Sequence, residues 1–218
     1  MILSVHKQRG AAGIAAALCG FVLGLAAVSY ALGAEQKPAA TKIKAFQPGE
    51  SLSYDISWSK MLKAGTADME VKSELLPDGR EVFRIVVVSH TVGAVGRLYK
   101  LGDTVQSVFD PLIMQSLSFS LRESHGNKTR RRDLLFDHER RTATIRLNDD
   151  PPETVAIPER VQDSLSSLYY LRTREDFVVG RPITFDAFDS DKSWAIEVET
   201  LGRERVRTPA GEFSTIKV

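Results

Sequence analysis

An alternation of apolar and polar residues runs through most of the chain after Phe46 and constrains its fold more than any other feature. In the clearest segment every second residue is apolar: Leu52, Tyr54, Ile56 and Trp58. Successive side chains of a β-strand point to opposite faces of the sheet, so this pattern predicts a strand with one buried and one solvated face. Similar segments recur between turn sequences such as Pro77-Asp78-Gly79, a spacing typical of sandwiches and barrels. The sequence therefore predicts a mainly β, antiparallel fold of about ten strands.

Residues 161–174 (VQDSLSSLYYLRTR) depart from the alternation and predict one amphipathic helix. The apolar residues fall at helical spacing, Asp163 can cap the amino end, and Arg172 and Arg174 lie where the helix dipole favours cations. We expect the helix Asp163–Arg174 to pack against the concave side of a strongly curved sheet, which amounts to an open or incomplete β-barrel. A two-sheet β-sandwich is the alternative.

Three other segments carry local expectations. Thr91–Leu101, with two glycines three residues apart, predicts a short helix or an irregular crossing. The Val86–Val88 run is apolar on both faces, which predicts a central strand that is covered on both sides. Residues 213–218 alternate with no turn or cap after them, and natural sheets avoid open edge strands, so we expect at least one further strand after Val218.

The first 34 residues predict an export segment. Lys7 and Arg9 precede a run from Gly10 to Ala34 that contains no charged side chain. A basic start, an apolar middle and small residues at the end are the features of a signal peptide, and we favour cleavage after Ala34. An uncleaved membrane anchor is the alternative, since about 20 apolar residues can cross a bilayer. Both interpretations place the rest of the chain outside the cytoplasm, in the periplasm.

After this segment we expect a flexible spacer over residues 35–45 and a single β domain over residues 46–218. Cys19, the one cysteine, lies in the apolar run, so cleavage would leave no thiol for a disulfide, a metal or nucleophilic catalysis. Two of the 29 basic residues and none of the 28 acidic residues lie in the first 34, so the remainder is nearly neutral. This charge balance argues against nucleic-acid binding.

Motifs of catalysis are not found in the sequence, which has no Gly-x-Ser-x-Gly elbow, phosphate loop or paired-cysteine site. His125 and His138 lie in predicted turns, where solvated histidines are expected. Ser164, Ser166 and Ser167 lie at the start of the predicted helix, where serine caps the backbone. We therefore predict no catalytic residue, metal ligand or cofactor, and an unrecognised hydrolase with a site around the helix is an alternative.

A cavity between helix and sheet is the first candidate site. Its candidate lining residues are Trp58, Leu165, Tyr169, Tyr170, Arg172 and Trp194. Filling the core is the competing role for such side chains.

The second candidate site is a basic hairpin that could bind anions such as lipid phosphate. Its residues are Lys128, Arg130, Arg131 and Arg132. Acidic residues are interleaved there and successive arginines point to opposite faces of a strand, which favours an ordinary solvated surface.

Several short segments, in order along the domain, carry a family resemblance. They are Phe46–Tyr54 (FQPGESLSY), Ala64–Ala67 (AGTA), Arg97–Lys100 (RLYK) with Asp103, Asp163-Ser164 with Leu168–Arg172, and Gly202–Glu204 with Thr208–Phe213. This pattern resembles the bacterial domain-of-unknown-function 3108 family. The resemblance implies an exported envelope protein without an established activity, an architecture related to open β-barrels such as the periplasmic lipoprotein carriers, and a chain that continues past Val218.

The leading hypothesis is a non-enzymatic protein of the periplasm or cell envelope that binds an apolar ligand or a protein tail beside the helix. A lipid, a lipoprotein or another envelope protein would be its partner. The alternative is a structural or adaptor module that acts through an exposed strand edge or the basic hairpin.

Overall fold

The computed structural model describes residues 2–7, 43–58 and 62–218, which form three sheets and two helices. The strands are β1 (Ile2–Lys7), β2 (Ser51–Trp58), β3 (Leu62–Leu75), β4 (Glu81–Thr91), β5 (Leu101–Asp110), β6 (Gln115–His125), β7 (Lys128–Asp137), β8 (Thr142–Leu147), β9 (Glu153–Ala156), β10 (Val161–Asp163), β11 (Ile183–Asp189), β12 (Lys192–Val198), β13 (Gly202–Thr208) and β14 (Gly211–Lys217). The helices are α1 (Gly93–Leu98) and α2 (Ser164–Arg172).

Of the predicted export segment, residues 1–34, the structure describes only Ile2–Lys7, which form β1 and pair with β2. A cleaved signal or a membrane anchor separates these residues from the domain, so the pairing differs from the expectation. The uncharged run of residues 10–34 with Cys19 lies outside the described residues, as does most of the predicted spacer. Within the described ranges, neither helix has the length and apolar character needed to cross a bilayer.

Strands β1 to β9 form one antiparallel sheet in which each strand pairs with its neighbour in sequence. Turns at the predicted positions, such as Pro77–Gly79, connect them. The register shifts between Ile56 and Ser57 and between Val108 and Phe109, and such irregularities add bend and twist to a sheet. The predicted mainly β, antiparallel fold is confirmed. In the part of the chain that is described, β1 and β9 do not pair, so the sheet is open rather than a closed barrel.

One face of this sheet, the inner face, carries the hydrophobic core. Alternate residues of β3 to β8 point into it, as the period of two requires. The core includes Val71, Phe83, Ile85, Phe109, Phe119, Leu134, Phe136 and Ile145. Helix α2 covers this face with Leu165 and Tyr169, and β11 adds Phe188. The opposite, outer face carries mostly polar side chains.

The smaller sheets lie at the carboxyl side of the chain. Strands β10, β11 and β12 form one of them, with β10 parallel to β11, and β13 and β14 form a separate hairpin. The parallel pair corrects the expectation for residues 161–163. Val161–Asp163 is a strand rather than the first turn of the helix, and α2 begins at Ser164.

Two other local expectations have clear outcomes. The irregular segment after β4 does contain a short helix, α1, so α2 is not the one helix of the described chain. The expected coverage of Val86–Val88 on both faces is wrong, because Val88 points to the outer face and is 43% exposed. An apolar run therefore did not indicate burial on both sides here.

Candidate functional site

The amino end of α2 is fixed by a buried carboxyl group. Asp163 Oδ1 accepts hydrogen bonds from the backbone N–H groups of Leu165 and Ser166, both at 2.7 Å. Its Oδ2 accepts from the hydroxyl groups of Ser107 on β5 and Ser116 on β6, both at 2.5 Å. Ser166 completes a capping box, because its hydroxyl accepts from the Asp163 N–H. The predicted cap is confirmed, and it also ties the helix to two strands of the large sheet.

The carboxyl end of α2 is fixed by an ion pair. The Arg172 guanidinium donates to both carboxylate oxygens of Glu50, at 2.7 Å each, and to the carbonyl oxygen of Ala45 at 2.9 Å. It also lies 4.9 Å from the ring centroid of Tyr169 and 5.5 Å from that of Phe46. Such a bidentate, stacked geometry is specific to arginine. The contact joins α2 to the segment that precedes β2.

A tight turn before β2 brings Glu50 to Arg172. The Glu50 N–H donates to the carbonyl oxygen of Gln47, and Gly49 lies between them with φ of 92°. This is a left-handed conformation that favours glycine. The turn leaves Phe46 in the core on one side and Glu50 beside α2 on the other.

Two tyrosines next to the ion pair remain protonated at neutral pH. Burial raises the pKa of Tyr169 to about 12, and the negative charge of Glu50 adds to the shift. Burial also raises the pKa of Tyr54, against the opposing effect of the positive charge of Arg172. For Arg172 itself, burial lowers the pKa, but the hydrogen bonds and charge of Glu50 outweigh it and the pKa is raised. The group therefore combines one neutralised ion pair with two neutral hydroxyl groups.

A cavity of about 870 Å³, which we call the α2 cavity, lies between β2, α2 and the β13–β14 hairpin. Its walls are mostly apolar and include Leu52, Leu168, Leu171, Phe177, Val206, Phe213, Ile216 and Val218. The lining also contains the hydroxyl group of Tyr54 and the cationic side chains of Arg172 and Arg174. Several wall residues are partly open to solvent, among them Leu168 at 48% and Phe213 at 42%. Contiguous exposed apolar surface is typical of ligand-binding grooves and of protein–protein or membrane interaction sites.

The cavity candidates from the sequence occupy different places. Arg172 lines the α2 cavity. Leu165 and Tyr169 are buried in the core beneath it, and Tyr170 packs on Phe185. Trp194 lies on β12, half exposed, with Lys192 over its ring. Trp58 ends β2, and its side chain lies outside the described part of the structure.

The basic hairpin is divided between the two faces of β7. Arg131 lies on the outer face and contacts the carbonyl oxygen of Asn148 and the carboxylate of Asp149. Arg132 lies on the inner face, 11% exposed, near Asp189. Arg130 lies 4.0 Å from Glu123, and Lys128 is exposed at the start of β7. Acidic or carbonyl oxygens thus surround the three arginines, so the hairpin presents no concentrated positive charge.

The sequence predicted that His125 and His138 are solvated, but both side chains make polar contacts within the protein. His125 Nε2 lies 2.9 Å from the carboxylate of Asp103, and His138 Nε2 donates to the carbonyl oxygen of Ser116 at 2.6 Å. The buried hydroxyl of Ser116 is bonded to Asp163 and not to His138. This arrangement lacks the serine-to-base hydrogen bond of a hydrolase. Within the described ranges, no three His, Cys, Asp or Glu side chains cluster as metal ligands would.

The sequence analysis did not assign Glu50 or the apolar residues of β14 to the site, although Glu50 lies in the Phe46–Tyr54 segment that carries the family resemblance. Glu50 is a single acidic residue in a turn, separated from Arg172 by 122 residues. The sequence does show that Leu168 and Leu171 are apolar and lie on a face of α2 next to the face of Leu165 and Tyr169. The pattern does not tell which of the two faces lines a cavity. Only the folded chain brings these residues to one cavity.

Comparison with protein-family models identifies a family for most of the chain. Neither the curated proteins nor the solved structures contain a detectable relative. The family model described as "Protein of unknown function (DUF3108)" matches residues 53–218, which include β3 to β14, α2 and most of the α2 cavity. The chain therefore belongs to the DUF3108 family of proteins of unknown function.

Proposed function

We propose that this protein is a non-enzymatic, exported protein of the cell envelope that holds an apolar ligand in the α2 cavity. The observation that carries the proposal is the cavity itself, with about 870 Å³ and predominantly apolar walls. Its volume falls in the range of roughly 300–1,000 Å³ that is typical of small-molecule sites. An occupant with a hydrocarbon part would remove Leu168, Phe213 and their neighbours from water, which is the main driving force for such binding.

The proposed location rests on the amino-terminal sequence. Lys7 and Arg9 before the uncharged run of residues 10–34 favour export to the periplasm, either by a cleaved signal or with the run as a tether to the inner membrane. A protein there meets lipids, the acyl chains of lipoproteins and other envelope proteins. The α2 cavity suits the hydrocarbon part of any of these ligands.

A charged residue in the cavity wall tests the proposal. Leu168→Glu places a carboxylate beside the apolar walls, and because Leu168 is already half exposed in a helix, where glutamate is well tolerated, folding should be retained. We expect the affinity for the neutral fluorescent probe N-phenyl-1-naphthylamine to fall by at least about tenfold, since a charge must be desolvated on binding. Fluorescence titration measures this change.

Leu98→Glu is the matched control, because Leu98 is 89% exposed on α1 and does not belong to the α2 cavity. It should leave probe affinity within about twofold of the wild type, as expected for a distant surface substitution. Equal losses in both variants, or no loss in either, would place the probe elsewhere and contradict the proposal.

A further inference from the structure

Arg172 has donors to spare at the polar end of the α2 cavity. A guanidinium group has five N–H groups. Three hydrogen bonds join Arg172 to the two oxygens of Glu50 and to the carbonyl oxygen of Ala45. Among the described residues, these are its geometrically well-formed hydrogen bonds, and the Tyr169 hydroxyl also lies close to the guanidinium. The Nε–H group and the second Nη1–H group, on opposite edges of the guanidinium, are not part of these three bonds. Arg172 is part of the cavity lining, so a ligand oxygen could accept from them.

Glu50 determines which oxygen fits there. It lies against Arg172 with only 18% of its side chain exposed, so the guanidinium charge is already neutralised. A ligand carboxylate at the same guanidinium would stand roughly 5 Å from the Glu50 carboxylate, and the repulsion is strong where little water screens it. A neutral carbonyl oxygen accepts a hydrogen bond from one of these N–H groups without that repulsion.

Tyr54 adds a third donor. Its side chain lines the cavity on β2, next to Leu52. Since burial raises the pKa of Tyr54, the hydroxyl keeps its proton at neutral pH and can donate to a ligand oxygen. The polar end thus offers donors and no net charge.

We propose that the α2 cavity selects acyl lipids whose head is an uncharged carbonyl group, an ester or an amide, over free fatty acids. The carbonyl oxygen lies at Arg172 and Tyr54, and the acyl chain lies along Leu168, Leu171, Phe213 and Ile216. This inference rests on the proposed binding function and adds the chemical class of the head group.

Lauric acid and methyl laurate test this selectivity, since they share one chain and differ in head charge. We expect methyl laurate to displace N-phenyl-1-naphthylamine from the delipidated protein at about tenfold lower concentration than laurate, at about pH 8, where the carboxyl group is ionised. Glu50→Gln leaves the Arg172 charge unopposed. The affinity for laurate should then rise about tenfold, with that for the ester changed less than about threefold.

Asp176→Asn is the matched control, because it also removes one acidic partner of an arginine that lines the cavity. The pair of Arg174 and Asp176 is more exposed, at 35% and 43%, so water screens its charge and laurate affinity should change less than about threefold. Tyr54→Phe, a second test that does not alter charge, should weaken the ester about threefold and leave the probe unchanged.

The outcomes separate the two proposals. If none of the three hydrophobic compounds binds, the proposed function is wrong. If they bind, but laurate displaces the probe from the wild type at the same concentration as methyl laurate or a lower one, the head-group inference is wrong. The proposed binding function is then still supported. Circular dichroism and thermal unfolding show whether Glu50→Gln folds. If it does not, the ratio of the displacing concentrations of laurate and methyl laurate for the wild type still tests the inference.

Discussion

Asp163→Ala is expected to lower the free energy of unfolding by about 3 kcal/mol, because it removes the cap of α2 and leaves several buried donors without an acceptor. The backbone N–H groups of Leu165 and Ser166 lose Oδ1, and the hydroxyl groups of Ser107 and Ser116 lose Oδ2. All of these residues are buried, so water does not replace the lost carboxylate. Urea denaturation followed by circular dichroism measures the change.

Asp163→Asn is the control that keeps the shape and the cap. Its Oδ1 still accepts from the two backbone N–H groups, and both serine hydroxyls can rotate to accept from Nδ2. We expect a loss of less than about 1 kcal/mol at neutral pH, since asparagine caps a helix as well as aspartate. Equal stability of the alanine variant and the wild type would show that the buried network contributes nothing.

The difference in stability between Asp163→Asn and the wild type is expected to depend on pH. Burial raises the pKa of Asp163 above its ordinary value of 3.8, although its hydrogen bonds with Ser107 and Ser116 oppose the shift. Between the unfolded and the raised folded pKa, the folded state binds more protons, so stability falls as the pH rises through this interval. Asparagine does not titrate. The stability of Asp163→Asn relative to the wild type should therefore increase as the pH rises above 3.8, and the subtraction cancels the other carboxyl groups. A constant or decreasing difference would contradict the assignment.

Phe46→Ala is expected to cost about 4 kcal/mol of unfolding free energy, the usual effect of deleting a buried phenylalanine. The ring is 2% exposed, and its centroid lies 4.8 Å from that of Tyr169, 5.9 Å from that of Phe83 and 6.0 Å from that of Phe109. Its removal opens a cavity among α2, β4 and β5 and also removes one face of the Arg172 stack. Thermal and chemical unfolding measure the loss.

Phe213→Ala is the matched control for this substitution. Phe213 lies on β14 in the wall of the α2 cavity and is 42% exposed, so its loss should cost less than about 1 kcal/mol. It should instead reduce the affinity for apolar ligands. If Phe46→Ala were as mild as Phe213→Ala, the segment before β2 would not belong to the core in solution.

The strands were predictable because their signals are local. A period of two, with turn residues between segments, depends on neighbours along the chain, and β2 lies where that pattern placed it. Coverage of a strand by other elements is not local. Val86–Val88 is apolar on both faces, yet Val88 is 43% exposed, so the apolar run alone did not predict its exposure.

In the segment of α2, too, the locally determined feature was predictable and the one that depends on a distant partner was not. Asp163 and the serines after it predicted the cap correctly, since capping depends on residues three apart. The three residues at 161–163 were assigned to the helix because their pairing partner, Asp186–Phe188, lies more than twenty positions later. A strand that exists only through a distant parallel partner carries no local signal.

The candidate site was the least predictable part, because it depends on contacts between distant segments. Arg172 could be identified as a site residue from the helix. Its partner Glu50 lies in the Phe46–Tyr54 segment of the family resemblance, but that pattern does not say that the two residues meet. Tyr54 looked like an ordinary core residue of a strand. Their common location beside the apolar residues of β13 and β14 follows from the tertiary fold alone.

Diffraction from crystals of the protein bound to methyl laurate with a bromine atom at the end of its chain tests the central claim most directly. The anomalous signal locates the bromine without reference to the protein coordinates. We predict a peak inside the α2 cavity, between Leu168 on α2 and the apolar side chains of β14, Phe213 and Ile216. A bromine peak at any other surface, with the α2 cavity free of ligand density, would contradict the account.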